Sequence, residues 1–138
     1  MLHSGQRQWH SESGQSLLET AMMMVVIFTI TFWLIELGYF TYTYSVLADA
    51  AEEGVRYSIV HTAGDVAGTK TTVANFVATA PASASNTIST TVTFPDGGSA
   101  DPPNRVQVAV TYTYVPFLST FFNTTTMKTY AEGRRVVK

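Results

Sequence analysis

Residues 21–35 read AMMMVVIFTITFWLI, an apolar run that decides the architecture of the chain. No Asp, Glu, Lys or Arg interrupts it, and a helical, mostly apolar pattern extends from Leu17 to Leu47. At 1.5 Å per residue such a helix is roughly 45 Å long, which exceeds a hydrocarbon core of about 30 Å. The sequence therefore predicts a helix that crosses a membrane over about residues 17–40 and projects beyond it.

The composition limits the classes of protein to be considered. A length of 138 residues suits one membrane segment and one small domain. The net charge of −2 and the pI of about 5.8 argue against nucleic acid as a partner, because its phosphates require a basic surface. The absence of cysteine excludes disulfides, thiolate catalysis and cysteine-ligated zinc.

Enzyme signatures are also missing from the sequence. His61 is the only histidine after residue 14, and neither a second histidine nor a suitably spaced carboxylate accompanies it as a metal ligand. The many Ser and Thr residues lack a base that would activate them as nucleophiles. We therefore expect no metal, no cofactor and no catalytic activity.

The helix is predicted to continue past the membrane, over about residues 16–60 in all. Small or apolar residues recur there at spacings of three and four, which indicates an amphipathic extension; they are Leu47, Ala50, Ala51, Gly54, Val55 and Ser58. Residues 41–45 alternate polar and aromatic side chains, but the helical period on both sides favours a continuous helix. Gly64 and Gly68 are candidates for ending it.

The C-terminal part is predicted to be a small α+β domain, residues 61–138. A polar linker with a short helix occupies about residues 61–80; its apolar stripe is Val73, Phe76, Val77 and Ala80, and Pro81 ends it. Two runs with strict alternation, around residues 88–94 and 106–114, predict an antiparallel hairpin joined by a loop of about ten residues. A third strand, Thr124 to Glu132, returns beside the second, and the short helix covers one face of the sheet.

The ends of the apolar run predict its orientation. Residues 1–14 form a polar leader, and Arg7 together with the α-amine favours a cytoplasmic N-terminus, because positive charge is enriched on that side. Trp33, Tyr39, Phe40, Tyr42 and Tyr44 cluster toward the far end, where aromatic rings favour the membrane–water interface. We therefore expect a single-pass protein of the cytoplasmic (inner) membrane with its C-terminal domain outside.

A motif of six residues, Gly14-Gln15-Ser16-Leu17-Leu18-Glu19, precedes the run. It resembles the processing site of type IV prepilins, in which a prepilin peptidase cuts after the glycine. That resemblance implies a mature chain that begins at Gln15 and carries Glu19 as its fifth residue.

Two further stretches resemble the TadE-like pseudopilins of tight-adherence (Flp) pilus systems. One is Ile35-Glu36-Leu37-Gly38, and the other is Ala50-Ala51-Glu52-Glu53-Gly54-Val55-Arg56-Tyr57, similar to the stretch that closes the long helix in that family. The strand at 105–112 and the Pro116 that follows also fit the family. This resemblance implies a non-enzymatic subunit whose partners are the prepilin peptidase, other pilin or pseudopilin subunits, the inner-membrane assembly platform and the lipid bilayer, with a role in adhesion and biofilm formation.

Glu19 admits two interpretations. A carboxylate at the start of a membrane helix is costly in lipid, and it could neutralise the α-amine of Gln15 on an adjacent subunit and so set the stagger between packed helices. Alternatively, Ser16 and Glu19 form a capping box at the start of the helix.

Further residues are candidates for assembly. Glu36 would reach the membrane interface or pair with a cation of another subunit. Ala50 and Gly54 are small enough to allow close packing. Arg56 belongs to the family-like stretch, and the basic tail of Arg134, Arg135 and Lys138 could pair with the acidic helix segment of a neighbour.

We therefore predict a pseudopilin or minor pilin that is processed after Gly14. The alternative is a signal-anchored extracellular binding module that keeps residues 1–14 and uses its β domain to bind a ligand. The loops around Asp96 and Phe121 are candidates for contact with the surface to which the cell adheres.

Overall fold

The structure is a computed structural model that describes residues 11–61, 64–78, 88–96, 105–119 and 122–134. These residues form α1 (Ser11–Val60), α2 (Val66–Ala78), β1 (Ile88–Thr93), β2 (Arg105–Tyr114) and β3 (Thr125–Arg134). A long apolar helix, a short helix and a small antiparallel sheet make an α+β protein, as predicted. The chain divides into two compact units, residues 1–37 and residues 38–138, so the second half of α1 belongs to the same unit as the sheet.

The first unit consists, in its described part, of the N-terminal portion of α1. Every residue from 14 to 35 is exposed. Because successive helical residues point to different sides, the unbroken apolar run makes this portion apolar all round, which is typical of a helix that lies in lipid. By length and composition, α1 is sufficient to cross a membrane.

Hydroxyl groups within the run are satisfied inside the helix. Thr29 Oγ1 donates to the carbonyl of Val25 at 2.7 Å, and Thr31 Oγ1 donates to the carbonyl of Ile27 at 2.8 Å. In a hydrocarbon environment an unpaired hydroxyl would be costly, since no water is available to it. These bonds therefore make both threonines compatible with the membrane.

The start of α1 differs from the prediction. The helix begins at Ser11 and not near Ser16. A glycine such as Gly14 costs only about 1 kcal/mol relative to alanine inside a helix, and a helix that continues into a long apolar run can absorb this cost. Residues 41–45 are helical, as predicted.

The sheet has the order β1-β2-β3, with both neighbouring pairs antiparallel. In the hairpin, Ile88 lies opposite Tyr112 and Thr93 lies opposite Gln107. The third strand was predicted at 124–132 and is found at 125–134, with Thr125 opposite Tyr114. The alternation in β2 is confirmed, because one face of the strand is buried; the buried residues are Val106, Val108, Val110, Tyr112 and Tyr114.

The core of the second unit lies between this face of the sheet and the two helices. The amphipathic extension of α1 supplies a buried stripe at the predicted spacing; it consists of Thr43, Leu47, Ala50, Ala51, Gly54, Val55 and Ser58. From α2 the buried residues are Thr69, Val73 and Val77. The predicted stripe was therefore wrong at Phe76, which is 37% exposed, and Ala80 lies outside the described residues.

The connection between the helices is built around Asp65. This residue caps α2, since the Gly68 N–H donates to its Oδ1 at 2.8 Å, and the Tyr57 hydroxyl donates to its Oδ2 at 3.1 Å. Gly64 has a φ of +83°, a left-handed conformation that glycine adopts without steric cost. Gly68 lies inside α2 and does not end α1, contrary to the prediction, because the Asp65 cap starts a new helix before it.

Close contacts show that α1 packs along β2 and that the two elements run in opposite directions. The ring of Phe40 meets that of Tyr114 edge-on at 5.5 Å between centroids. A Cβ added at Gly54 would lie 3.2 Å from Val108 Cγ1. From Phe40 to Gly54 the helix rises about 21 Å, and from Tyr114 back to Val108 the strand runs about 20 Å, so the two elements stay aligned. Gly133, on β3, comes next along α1, where an added Cβ would collide with Val55.

A polar cluster closes the end of the sheet that lies away from Phe40. Arg105 donates to Asp96 through Nε at 3.0 Å and through Nη2 at 2.8 Å. Its Nη1 donates to Glu132 at 3.3 Å. We call Asp96, Arg105 and Glu132 the distal cluster; its central guanidinium links the β1–β2 connection to β3.

Candidate assembly surface

The predicted processing junction lies in the first turns of α1. Gly14, Gln15 and Glu19 are all exposed, and an added Cβ at Gly14 would meet no atom within 4 Å. Gln15 and Glu19 are four residues apart, so they lie on one face of the helix. The Glu19 carboxylate and the Gly14–Gln15 peptide bond therefore lie close together in the exposed first turns of α1.

The capping alternative for Glu19 does not apply to the unprocessed chain. A capping box needs Ser16 at the N-cap, whereas Ser16 lies inside α1. Its carbonyl accepts a hydrogen bond from Thr20 Oγ1 at 2.9 Å, as an interior helical residue can. In the unprocessed chain, Glu19 is thus an exposed acidic side chain at the edge of an apolar helix.

Large apolar side chains surround this carboxylate along the helix. Leu17 and Leu18 are 72% and 65% exposed, and Met22 is 66% exposed. A contiguous apolar surface of this extent marks an interaction with lipid or with another protein. Glu19 therefore lies at the margin of a surface that water does not favour.

Glu36, predicted to reach the membrane interface or a neighbouring subunit, is buried in the structure. It is only 8% exposed, and it lies four positions before the partly buried Phe40 on α1. Glu36 has interactions within its own chain. Pairing of Glu36 with a second subunit stays a prediction.

The small residues of α1 pack inside their own chain. Ala50 is fully buried, and an added Cβ at Gly54 would lie 2.6 Å from Val73 Cγ2. The close approach expected of small residues thus occurs between α1, α2 and the sheet. A role for Ala50 and Gly54 between subunits stays a prediction, and both residues are buried in contacts within their own chain.

Arg56 and Arg134 are exposed. Arg56 Nε is 3.8 Å from Glu53 Oε2, with the arginine side chain 79% exposed, a geometry in which an ion pair contributes little to stability. Arg134 is the last described residue, so Arg135 and Lys138 lie outside the described part of the chain.

Ionisation in the second unit reflects local hydrogen bonds. The hydrogen bonds from Arg105 lower the pKa of Asp96, with the positive charge of the same guanidinium acting in the same direction, and the pKa of Arg105 is raised in return. The hydrogen bond from its hydroxyl to Asp65 raises the pKa of Tyr57. The Asp96 carboxylate is engaged within its own chain, which weakens the case for it as a partner contact.

One exposed aromatic residue was not among the candidates predicted from the sequence. Phe117, in the turn after β2, is 84% exposed, whereas the predicted contact residue Phe121 lies outside the described residues. A signal for Phe117 was present, since an aromatic residue directly after Pro116 in an uncharged stretch is unusual for a turn in water.

Comparison with known families tests the resemblance. The model of the family described as TadE-like protein matches residues 14–56. This part of the chain is TadE-like. The matched segment begins at Gly14, contains Glu19 and Glu36, and ends at Arg56, so the predicted resemblance is confirmed over α1. The similarity proposed for the strand at 105–112 and for Pro116 lies beyond the match.

Two other comparisons returned nothing. No curated protein matches the chain, and no solved structure matches it. The TadE-like match connects the chain to Tad pilus systems, and the exposed apolar helix suggests that it is anchored in a membrane.

Proposed function

We propose that the chain is a pseudopilin or minor pilin subunit of a tight-adherence pilus system. A prepilin peptidase cuts it after Gly14, and the mature chain is stored in the cytoplasmic membrane with its sheet outside. The inner-membrane assembly platform then moves it into a pilus or the base of one, where it packs against other subunits and serves adhesion. Its role is packing and not turnover.

One observation carries this proposal. Within the TadE-like segment, Gly14 and Glu19 are exposed at the head of a helix that is apolar on every side. An anchor alone would not require an acidic residue at this position, where lipid makes it costly. A partner cation recovers that cost, and processing would create one, the α-amine of Gln15, on every subunit.

The position of Gly14 also suits cleavage. A peptidase needs access to the Gly14–Gln15 peptide bond, and this bond lies within the first turns of α1, where helices fray. Glycine lowers the local helix stability by about 1 kcal/mol relative to alanine. Gly14 therefore makes local unfolding of the helix around this peptide bond easier, and it leaves space beside the bond for a peptidase.

Intact-mass measurement of the protein from membranes tests the processing step. We expect the wild type to begin at Gln15 and the Gly14→Ala variant to keep residues 1–14. Gly38→Ala is the matched control, because Gly38 lies on the same helix with equally open space around it and should be processed normally. Normal processing of Gly14→Ala would overturn the proposal. A wild type that keeps its leader would favour the signal-anchored binding module.

The docking role of Glu19 has its own test. We expect Glu19→Ala to be cleaved but to impair piliation and adhesion, since the neighbour's α-amine loses its counter-charge. Lys70→Ala is the control, because Lys70 is an exposed charged residue of α2 to which no assembly role is assigned. Unchanged piliation in Glu19→Ala would contradict the docking role and leave the processing step intact.

A further inference from the structure

The backbone of α1 runs without a break through the proposed cleavage point. The helix begins at Ser11, so Gly14 and Gln15 both lie inside it. In an α-helix each N–H donates to the carbonyl four residues earlier, and in the unprocessed chain the N–H groups of residues 16–18 therefore donate to the carbonyls of residues 12–14. Cleavage after Gly14 removes these carbonyls, so it leaves the corresponding donors of the mature helix without acceptors.

Unpaired backbone donors at this end of the helix are costly. The side chains of Leu17 and Leu18 are exposed, and in the membrane-anchored chain they face lipid, whose hydrocarbon offers no hydrogen-bond acceptor. A backbone N–H that is shielded from water and has no partner costs about as much as a lost hydrogen bond. The mature chain therefore needs new acceptors for its first turn, and its own side chains are the nearest source.

Ser16 has the position and the chemistry of a new N-cap. The carbonyl of an N-cap residue accepts the first bond of the helix, while its side-chain oxygen accepts from an N–H two or three residues later. The Ser16 carbonyl already accepts from Thr20 Oγ1 at 2.9 Å, which holds it in the helical direction. If the helix starts at Ser16, the third helical position falls on Glu19, where a glutamate reaches back to the N–H of the N-cap.

We propose that cleavage after Gly14 converts Ser16 from an interior helical residue into the N-cap of mature α1, and that Ser16 thereby positions the Glu19 carboxylate. This inference rests on the proposed processing. Ser16 Oγ accepts from the Glu19 N–H, and the Glu19 carboxylate accepts from the Ser16 N–H, beside the new α-amine of Gln15. This capping box holds Glu19 in the stored subunit. On assembly the carboxylate exchanges its bond to Ser16 for the α-amine of a neighbouring subunit.

Amide hydrogen exchange of the full chain in bilayer nanodiscs tests this switch. The unprocessed chain comes from cells without the prepilin peptidase and the mature chain from cells that contain it, and intact mass identifies each form. A variant that the peptidase does not cut is made as a fusion from which an unrelated protease removes the leader and leaves Gln15 first. The two forms are then compared at the N–H groups of Ser16 and Glu19.

The effect of Ser16→Ala should depend on cleavage. We expect exchange of the Glu19 N–H to become about fivefold faster in the mature chain, as loss of an N-cap predicts. The unprocessed chain should show no such increase, because there the Glu19 N–H donates to the Gln15 carbonyl. Ser16→Thr should restore slow exchange, since threonine is also an N-cap residue. Ser45→Ala is the matched control, because Ser45 is an exposed serine inside α1, and it should change neither form at Glu19.

Glu19→Gln separates capping from docking. Glutamine also serves at the third position of a capping box, but it carries no charge for a neighbouring α-amine. We therefore expect slow exchange of the Ser16 N–H in the mature Glu19→Gln chain together with impaired piliation. Glu19→Ala should lose both, with exchange of the Ser16 N–H several-fold faster than in the wild type.

The remaining outcomes distinguish the switch from the processing step. Equal effects of Ser16→Ala on the two forms, or no effect on either, would overturn the switch and leave the processing intact. A Ser16→Thr chain that exchanges as fast as Ser16→Ala would contradict the N-cap. A wild type that keeps residues 1–14 in cells with the peptidase would overturn the processing and this inference with it.

Discussion

Gly54 is the position at which the packing of the second unit is tightest. An added Cβ would lie 2.6 Å from Val73 Cγ2 and 3.2 Å from Val108 Cγ1. Val73 and Val108 are both fully buried, so neither side chain can move aside into solvent. We predict that Gly54→Ala separates α1 from α2 and from the sheet.

The magnitude follows from two opposing effects. Overpacking of a well-packed core costs about 1–3 kcal/mol, and replacement of glycine by alanine inside a helix contributes about 1 kcal/mol of stability. The net destabilisation of Gly54→Ala is therefore about 0–2 kcal/mol. Gly38→Ala gains the same helix propensity without a collision, because no atom lies within 4 Å of its added Cβ. The difference between the two variants isolates the overpacking cost of about 1–3 kcal/mol.

Thermal unfolding of the full chain in nanodiscs, followed by near-UV circular dichroism of the tyrosines in the sheet, measures this difference. For a unit of about this size each kcal/mol shifts Tm by about 4–8 °C, so the variants should differ by at least about 4 °C. A double variant with Val73→Ala should recover part of the loss, since the added methyl group then occupies the space of the removed one. A Gly54→Ala protein as stable as Gly38→Ala would refute the packing argument.

The remaining predictions concern polar contacts of the second unit. Asp65→Ala should lower stability by about 1 kcal/mol through loss of the cap to the Gly68 N–H, which hydrogen exchange in the first turn of α2 would detect. The same variant should lower the pKa of Tyr57, because the carboxylate that raises this pKa is removed; an ultraviolet titration that finds it unchanged would count against the bond. Arg105→Gln should raise the pKa of Asp96 toward its ordinary value, measured by carboxyl NMR. Since this pKa is lowered in the folded chain, the ion pair stabilises the fold above the ordinary pKa of aspartate, and its contribution is lost as the pH falls through the folded value; an Asp96 titration identical in both proteins would contradict this.

Strong local patterns made most of the architecture predictable. An apolar run without charge can form little else than a membrane-length helix, and strict alternation in β2 fixes which side chains face the core. The match of the TadE-like family to residues 14–56 agrees with motifs that lie within this helix. In these segments the spacing of apolar residues follows directly from which face of the helix or strand is shielded from water, so the sequence pattern predicts the burial.

Prediction was weaker wherever burial depends on a second element. Thr69 and Phe76 lie about two turns apart on the same side of α2, and hydrophobicity favours the burial of Phe76. Thr69 is fully buried, because its hydroxyl donates to the carbonyl of Asp65 at 2.8 Å and its small side chain fits beside Gly54, whereas Phe76 is 37% exposed. The sequence does not reveal that Gly54 will lie there.

The candidate assembly residues divide in the same way. Gly14 and Glu19 were predicted from spacing alone, since their proposed roles depend on a short motif and on the cost of a charge beside lipid. Both residues are exposed in α1, as the proposed cleavage and docking require. Ala50, Gly54 and Glu36 look equivalent to them in the sequence as helix-surface candidates, yet all three are buried.

Local pattern was thus enough for the existence, type and order of the helices and strands, and for the Gly14–Glu19 junction at the head of the apolar run. Packing between elements set the rest: which small residues of α1 face their own sheet, and how Arg105 closes the distal end. The physical reason is that periodicity acts between residues two positions apart in strands and three or four positions apart in helices. Contacts such as Phe40 with Tyr114 join residues far apart in the chain, and they exist only after α1 and the sheet have aligned.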